Sequence, residues 1–400
     1  MKEIKLGLRE NWQQFSLLVI VNGFVGGMVG LERTILPKIA EADFAIAAKT
    51  AILSFIVVFG VAKAITNYYT GTLANRFGRK RLLVLGWLVA VPIPFLLIHA
   101  TSWNWIIVAN VLLGINQGLT WSSTVVMKID LVGEKNRGLA MGLNESAGYL
   151  AVGAVAFLSG WLAAEYGLRP YPFYLGFVFV TLGLLASWLL VNDTIHHVQK
   201  ETNASKLPLL KNLFWETSWK HPELGSISQA GLVNNLNDGM IWGLFPMLLA
   251  QQKFELTDIG KIVALYPAVW GIGQLFTGKM ADHYSKKRML FWGMFAQGLA
   301  LFLFLYAESF LHFALLSVLL GIGTAVVYPT FLAAIADYAH PQQRAESIGI
   351  FRLWRDLGYA VGAVLTGIIA DVLGIYWAVG TIASLTLLSA TLIQARMRSY

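Results

Sequence analysis

No cysteine occurs among the 400 residues, which excludes disulfides, thiolate metal sites and cysteine nucleophiles together. Charge is scarce as well: Asp, Glu, Lys and Arg supply 13% of the chain, against 56% hydrophobic residues. A water-soluble chain of this size needs more charge to cover its surface, so most of this one must face lipid. A mean hydropathy of +0.61 agrees. The sequence also has no phosphate-cradling Gly-x-x-x-x-Gly-Lys-Ser/Thr, no Gly-x-Ser-x-Gly elbow and no His-Glu-x-x-His pair. A membrane enzyme or an ATP-driven pump therefore lacks its motif here, and no cofactor is implied. No histidine falls in an expected membrane core, so a soft-metal site would have no ligands there. A hard or intermediate cation held by carboxylate and amide oxygens stays open. The net charge of +8 does not point to nucleic acid, because the basic residues lie in short breaks between apolar tracts.

What the chain does have is long apolar runs. Twelve reach the length of about 20 residues needed to cross a bilayer core: 14–38, 43–71, 82–99, 104–129, 138–166 and 172–192, then 225–250, 256–279, 289–307, 310–336, 345–371 and 375–395. The first follows Lys2, Lys5 and Arg9 as a signal peptide would. It is long, lacks a small-residue cleavage site and carries Glu32 and Arg33, so it is expected to stay. The pattern predicts an all-α membrane protein of two six-helix bundles, 1–192 and 225–400. Residues 193–224 should form a cytoplasmic linker with a short interfacial helix around 209–215. With the N-terminus cytoplasmic, the inner segments hold 21 of the 30 Lys and Arg. Six lie outside (Arg33, Lys38, Lys49, Arg169, Lys253, Lys261) and three fall inside helices. That bias places both termini in the cytoplasm.

The two bundles share more than a helix count. Gly71-Thr-Leu-Ala-Asn-Arg-Phe-Gly-Arg-Lys-Arg81 returns 207 residues later as Gly278-Lys-Met-Ala-Asp-His-Tyr-Ser-Lys-Lys-Arg288. Asp130 and Arg137 return at the same interval as Asp337 and Arg344. Two features displaced by one interval indicate an internal duplication, which suits a carrier built from two similar halves.

The first of these loops resembles the cytoplasmic signature of the major facilitator superfamily, Gly-x-Leu-Ala-Asp-Arg-x-Gly-Arg-Lys-Arg. Asn75 stands where that pattern has Asp. The second copy keeps its acid as Asp282 and has Ser285 for the second glycine. The resemblance spans the whole chain and implies a bacterial inner-membrane secondary transporter, monomeric, moving a small solute or ion by alternating access. It also implies a cytoplasmic latch of Gly71, Asn75, Arg76, Gly78, Arg79, Asp130, Arg137, Gly278, Asp282, Asp337 and Arg344. The expected pairings are Asp130 with Arg137 and Asp337 with Arg344. Drug/proton antiporters of the family carry an Arg where this chain has Gly114, and a Gly-Pro pair absent from Gly148 to Gly153, which disfavours a multidrug exporter. Proton-coupled solute transport leads; a transition-metal or other cation permease is the alternative, ahead of a receptor on the same fold.

An ionisable residue inside a span needs a partner or a wet cavity, since at the centre it costs roughly 2.5 kcal/mol or more. The resemblance puts the first, fourth, seventh and tenth helices around a cavity, the second against the eleventh and the fifth against the eighth. On the seventh, Asn234, Asn235, Asn237 and Asp238 form the densest polar set, with Asn234 and Asp238 four apart on one face. Asn116, Gln117 and Trp121 on the fourth, Asn22 on the first and Tyr328 on the tenth complete a candidate substrate or ion site. A metal ligand set cannot be named. Glu145, Lys63, Arg352, Arg355 and Asp356 are candidates for proton coupling or gating. For Asp356 the alternatives are Lys63 from the other half, or Arg352 or Arg355 on its own helix. Glu32 and Arg33, close to the expected outer end of the first helix, should snorkel to the interface, with an outer gate as the alternative.

Overall fold

A computed structural model describes residues 4–46 and 54–398. Lys2, Lys49 and the expected start of the second span lie outside the described residues. All regular structure among the described residues is helical. In chain order the helices are α1 (Trp12–Arg33), α2 (Leu36–Phe44), α3 (Ser54–Phe77), α4 (Arg79–Ala90), α5 (Pro92–His99), α6 (Trp103–Val132), α7 (Arg137–Tyr166) and α8 (Tyr171–Leu185). Residues 193–224, the expected linker, carry α9 (Ile195–Ala204) and the single turn α10 (Leu213–Trp215). Then follow α11 (Pro222–Gln251), α12 (Leu256–His283), α13 (Lys286–Phe304), α14 (Phe310–Tyr338), α15 (Arg344–Leu373) and α16 (Ile375–Arg396). Short π-helical turns, 186–190 and 216–220, close α8 and precede α11.

Proline sets the breaks inside two of the expected spans. Its missing N–H is harmless only in a first turn, and Leu36-Pro37 opens α2 while Pro92 opens α5. The first span thus runs from Trp12 to Phe44 in two pieces, six residues further than the sequence indicated. Eight spans among the described residues are long and apolar enough by themselves to cross a bilayer. The other four long helices are less apolar for visible reasons: α3, α6 and α11 bury Asn67, Gln117 and Asp238, and α13 opens with Lys286, Lys287 and Arg288.

The chain divides into two compact units. The first comprises 1–135, 144–206 and 344–349; the second comprises 136–143, 207–343 and 350–400. The first turns of α7 and α15 are thus each counted in the unit built mainly from the other half of the sequence. Within the first unit α6 packs on α3, α4 and α1, and α8 packs on α1. Within the second unit the equivalent helix α14 packs on α12, α13 and α11, and α16 packs on α11. The duplication read from the loops is therefore a duplication of packing.

Each unit turns large apolar side chains outward, among them Phe157, Trp188, Phe276 and Trp377. Exposed apolar surface on this scale marks a face meant for something other than water. Interiors hold Trp87, Tyr266 and Phe313 beside an unusual number of polar groups, including Lys128, Glu145 and Arg352.

Gly71 explains one part of the duplicated motif. A Cβ there would meet the backbone of Ala345, Glu346 and Gly349 in the first turns of α15, so only glycine lets α3 approach so closely. Gly278 does the same on α12 against the backbone of Gly138 and Gly142 in the first turns of α7.

Candidate functional site

The loops after α3 and α12 show what the signature residues do. Gly78 adopts φ +85°, open to glycine without strain, and a Cβ on it would press on the carboxylate of Asp193. That carboxylate accepts from Lys80 N at 2.9 Å and from Ile195 N at 2.9 Å, satisfying donors at the starts of α4 and α9. Arg79 is buried and donates to Asp130 at 3.2 Å, to Asn75 Oδ1 at 2.8 Å and to the Ala74 carbonyl at 3.1 Å. Thr194 donates to the same Asp130 oxygen at 2.7 Å. Arg76 is exposed, over the ring of Phe77. In the second copy Asp282 accepts from Gly138 N at 2.6 Å and Leu139 N at 2.9 Å, capping α7 where helix dipole and free N–H groups favour an anion. Asp337 holds Lys286 at 2.6 Å.

The pairings differ from those expected along the sequence. Arg137 pairs with Asp337 at 2.7 Å instead of with Asp130, whose oxygens serve Arg79 and Thr194. Arg344 pairs through both terminal nitrogens with Glu201 of α9, at 2.8 and 2.6 Å, instead of with Asp337. Both Arg344 and Glu201 are buried. His197 lies one turn before Glu201; burial, with His196 and Lys200 adding to it, lowers its pKa below the ordinary histidine range.

Deeper in the second unit a polar cluster forms around α11. Asp238 accepts from the hydroxyls of Tyr266 and, at 3.3 Å, of Tyr328, which also donates to Asn235 Oδ1 at 3.1 Å. Thr324 Oγ1 lies 3.3 Å from the Tyr266 hydroxyl. Trp270 stacks on Tyr266 and tilts against Tyr328, with ring centroids 5.8 and 4.8 Å apart. The Arg355 guanidinium lies 5.6 Å from the Tyr328 ring centroid and pairs with its neighbour Asp356 at 2.8 Å. Arg355, one of the sequence alternatives for Asp356, is thus a partner seen here. The partner of Asp238 across Tyr328 is Asn235, three residues away, rather than Asn234; Asn234 donates to Asn235 at 3.3 Å. Asn237 points elsewhere, to Gln297 and Thr386, and ties α11 to α13 and α16. Arg352 is buried on α15.

The first unit has its own cluster. Lys128 Nζ donates to Asn144 Oδ1 at 2.6 Å, and Asn144 Nδ2 donates to Glu145 Oε1 at 2.7 Å. The Trp121 indole donates to the same Glu145 oxygen at 3.0 Å. Asn22 joins through Thr124 at 3.0 Å and the Asn144 carbonyl at 2.8 Å. The Lys63 ammonium lies 5.4 Å from the Trp121 ring and 5.7 Å from Phe59, within cation–π range. Asn116 and Gln117 do not reach this cluster. Their amides bond the backbone of Gly86 and Val25, which makes them staples from α6 to α4 and α1. Glu32 does not snorkel: it is buried and accepts from Asn110 at 3.2 Å, because α2 carries the span eleven residues past Arg33.

Several contributors were missed. Tyr266, Trp270 and Thr324 sit in apolar runs where aromatics and hydroxyls look like packing. Lys128, grouped by sequence with the inner basic loops, is fully buried; its place on an apolar helix face was the available signal. Glu201 lies in a polar linker and gave none.

The model of the Major Facilitator Superfamily matches residues 15–230 and 227–398, one match for each half. An uncharacterized MFS-type transporter of Methanocaldococcus jannaschii is 21% identical, with 79% of this chain and 81% of that protein covered. The proton-coupled antiporter flippase LtaA of Staphylococcus haemolyticus is 25% identical over 91% of this chain and 88% of its own length. The multidrug resistance protein MdtG of Dickeya zeae is 22% identical, over 77% and 76%. Among solved structures, the human organic anion transporter MFSD10 (TETRAN) superposes with a TM-score of 0.79 at 17% identity, covering 96% of this chain and 99% of that one. With the signature loops, the repeated packing and a family match running almost end to end, this chain belongs to the Major Facilitator Superfamily and is a multi-pass membrane protein.

Proposed function

We propose that the protein is a proton-coupled secondary transporter that moves a small solute across the inner membrane by alternating access. The observation that supports this reading best is the setting of Asp238. It is a carboxylate buried on a spanning helix, bonded directly by two tyrosine hydroxyls, with Arg355 close enough to act on it electrostatically. A carboxylate on neutral donors can take up and release a proton without breaking a direct ion pair. Asn235 beside it offers donors and acceptors to a solute. In the first unit, Glu145 accepts from Asn144 and Trp121 and is the second candidate for coupling or gating.

The name of the Staphylococcus haemolyticus relative, a proton-coupled antiporter, favours the same coupling for this chain. The domain reading follows the sequence: bundles 1–192 and 225–400 with the linker 193–224 and both termini in the cytoplasm, on the Lys and Arg bias. A cation permease has no comparable observation behind it. Among the described residues no three His, Cys, Asp or Glu side chains gather as metal ligands.

A thermal-shift screen of the detergent-purified protein across sugars, amino acids, drugs and divalent metals identifies a ligand. Liposomes with an imposed pH gradient then test coupling. Asp238→Asn should abolish gradient-driven flux of that ligand while solute exchange persists. An unchanged dependence on the gradient would remove Asp238 as the proton carrier.

A further inference from the structure

The two copies of the signature are not chemically equal, and the linker stands where the difference lies. In the second unit, two acids and two bases surround the start of α7. Asp282 caps it, and Asp337 binds Arg137 of α7 together with Lys286 of α13. Moving Asp282, Asp337 and Lys286 back by the 207-residue interval, and Arg137 forward by it, gives the corresponding set at the start of α15: Asn75, Asp130, Arg79 and Arg344. Three of the four keep their charge. The fourth, Asp282, becomes Asn75, whose amide oxygen accepts from Arg79. Two arginines and one aspartate would leave this set one positive charge in excess, in a place where Arg79, Asp130 and Arg344 are all buried. An excess buried charge is costly without a compensating partner.

Glu201 brings the compensating charge. It reaches Arg344 with both carboxylate oxygens, and the pair is buried on both sides. Its helix is fastened to the same set. Thr194, just before α9, donates to Asp130, and Asp193 accepts from Lys80 N at the start of α4 and Ile195 N at the start of α9. Arg344 and Glu201 both act on Asp130 electrostatically, so the groups form one cluster.

We propose that the linker helix α9 is a working part of the first unit's latch, with Glu201 as a positioning residue that replaces the acid absent at Asn75. The proposal rests on the alternating-access reading. Any movement that draws the first turn of α15 away from α3 must then break a bidentate buried ion pair on the linker, as well as the close contact at Gly71. The linker becomes the element through which this latch is set, and the two latches release by different bonds.

The absence of native cysteine gives a clean reporter. Ala345 is buried in the first turn of α15, so Ala345→Cys reports, by its maleimide labelling rate in the purified protein, how often that turn leaves α3. Glu201→Gln in that background should raise the rate about tenfold or more, since a buried charge left without its partner is strongly destabilising. Adding Asn75→Asp to Glu201→Gln should bring the rate back to within about threefold of the parent, because the acid returns at the position it holds in the other copy. An unchanged rate in Glu201→Gln, or a failure of Asn75→Asp to reverse the rise, overturns the proposal. A purely structural role for Glu201 would not be rescued from position 75. Should Glu201→Gln aggregate, the exchanged pair Glu201→Arg with Arg344→Glu takes its place; slow labelling supports the clamp and fast labelling overturns it. Labelling requires no solute, so a protein that carries nothing in liposomes yet shows this pattern would lose the transport reading and keep the clamp.

Discussion

A pair of glycines on one helix measures how tightly the signature loop is built. Gly71 and Gly60 both lie on α3, and both become Ala in the test. At Gly71 the new Cβ meets only backbone, that of Ala345, Glu346 and Gly349, so no side-chain tip can swing aside. At Gly60 nothing lies within 4 Å. Replacing Gly by Ala in a helix gains about 1 kcal/mol of propensity at either position. That gain cancels in the difference between the two variants. What remains is overpacking, which runs to ~3 kcal/mol where the surroundings are stiff. Each kcal/mol moves a midpoint by roughly 2–4 °C in a body of 150–250 residues. The two variants should therefore melt roughly 6–12 °C apart, Gly60→Ala slightly above the parent and Gly71→Ala below it. The 14 tryptophans give an intrinsic fluorescence signal for the melts in detergent. Coincident melts would mean that α15 leaves α3 at no cost, and the close-packing argument for the motif glycine would fail.

Two further perturbations follow from the geometry. Gly78→Ala forces a side chain into φ +85° and against Asp193; a loss of about 1–2 kcal/mol from the backbone alone is expected, read as a lower melting temperature, and a Gly78→Ala protein as stable as the parent would contradict the assignment. Lys128→Met and Glu145→Gln each leave the other charge in a buried network, so each should lose about 3–5 kcal/mol, while the double variant should lose clearly less than the sum; strict additivity would show that the chain of bonds through Asn144 does not couple them.

How far the sequence reached depends on the kind of signal. The signature loop was legible because its demands are local: a glycine at a crossing, another at positive φ, bases at a helix start. Asp238 was legible because a charge in an apolar run stands out. Its partners were not equally so. Tyr328 precedes a proline and drew attention, whereas Tyr266 is one aromatic among many in a span. Asn116 and Gln117 show how an amide that staples two helices looks, in sequence, like one that awaits a ligand. Glu32 was misread because the span was ended too early. The latch pairings were missed for a different reason: spacing along the chain says nothing about which of two equivalent arginines an aspartate will meet.

The composition of the units also bears on how the protein is made. The first unit includes residues 344–349, while the second draws its early piece, 136–143, from a helix already synthesised. A chain emerging from its N-terminus usually completes its first domain first. Here Gly71 waits for Ala345, and Glu201 waits for Arg344, until nearly nine-tenths of the chain has been made. Until then Gly71 near the end of α3, and Glu201 on α9, lack the partners they have in the finished protein. Truncation shortly before residue 344 should therefore leave not one finished unit but two unfinished ones.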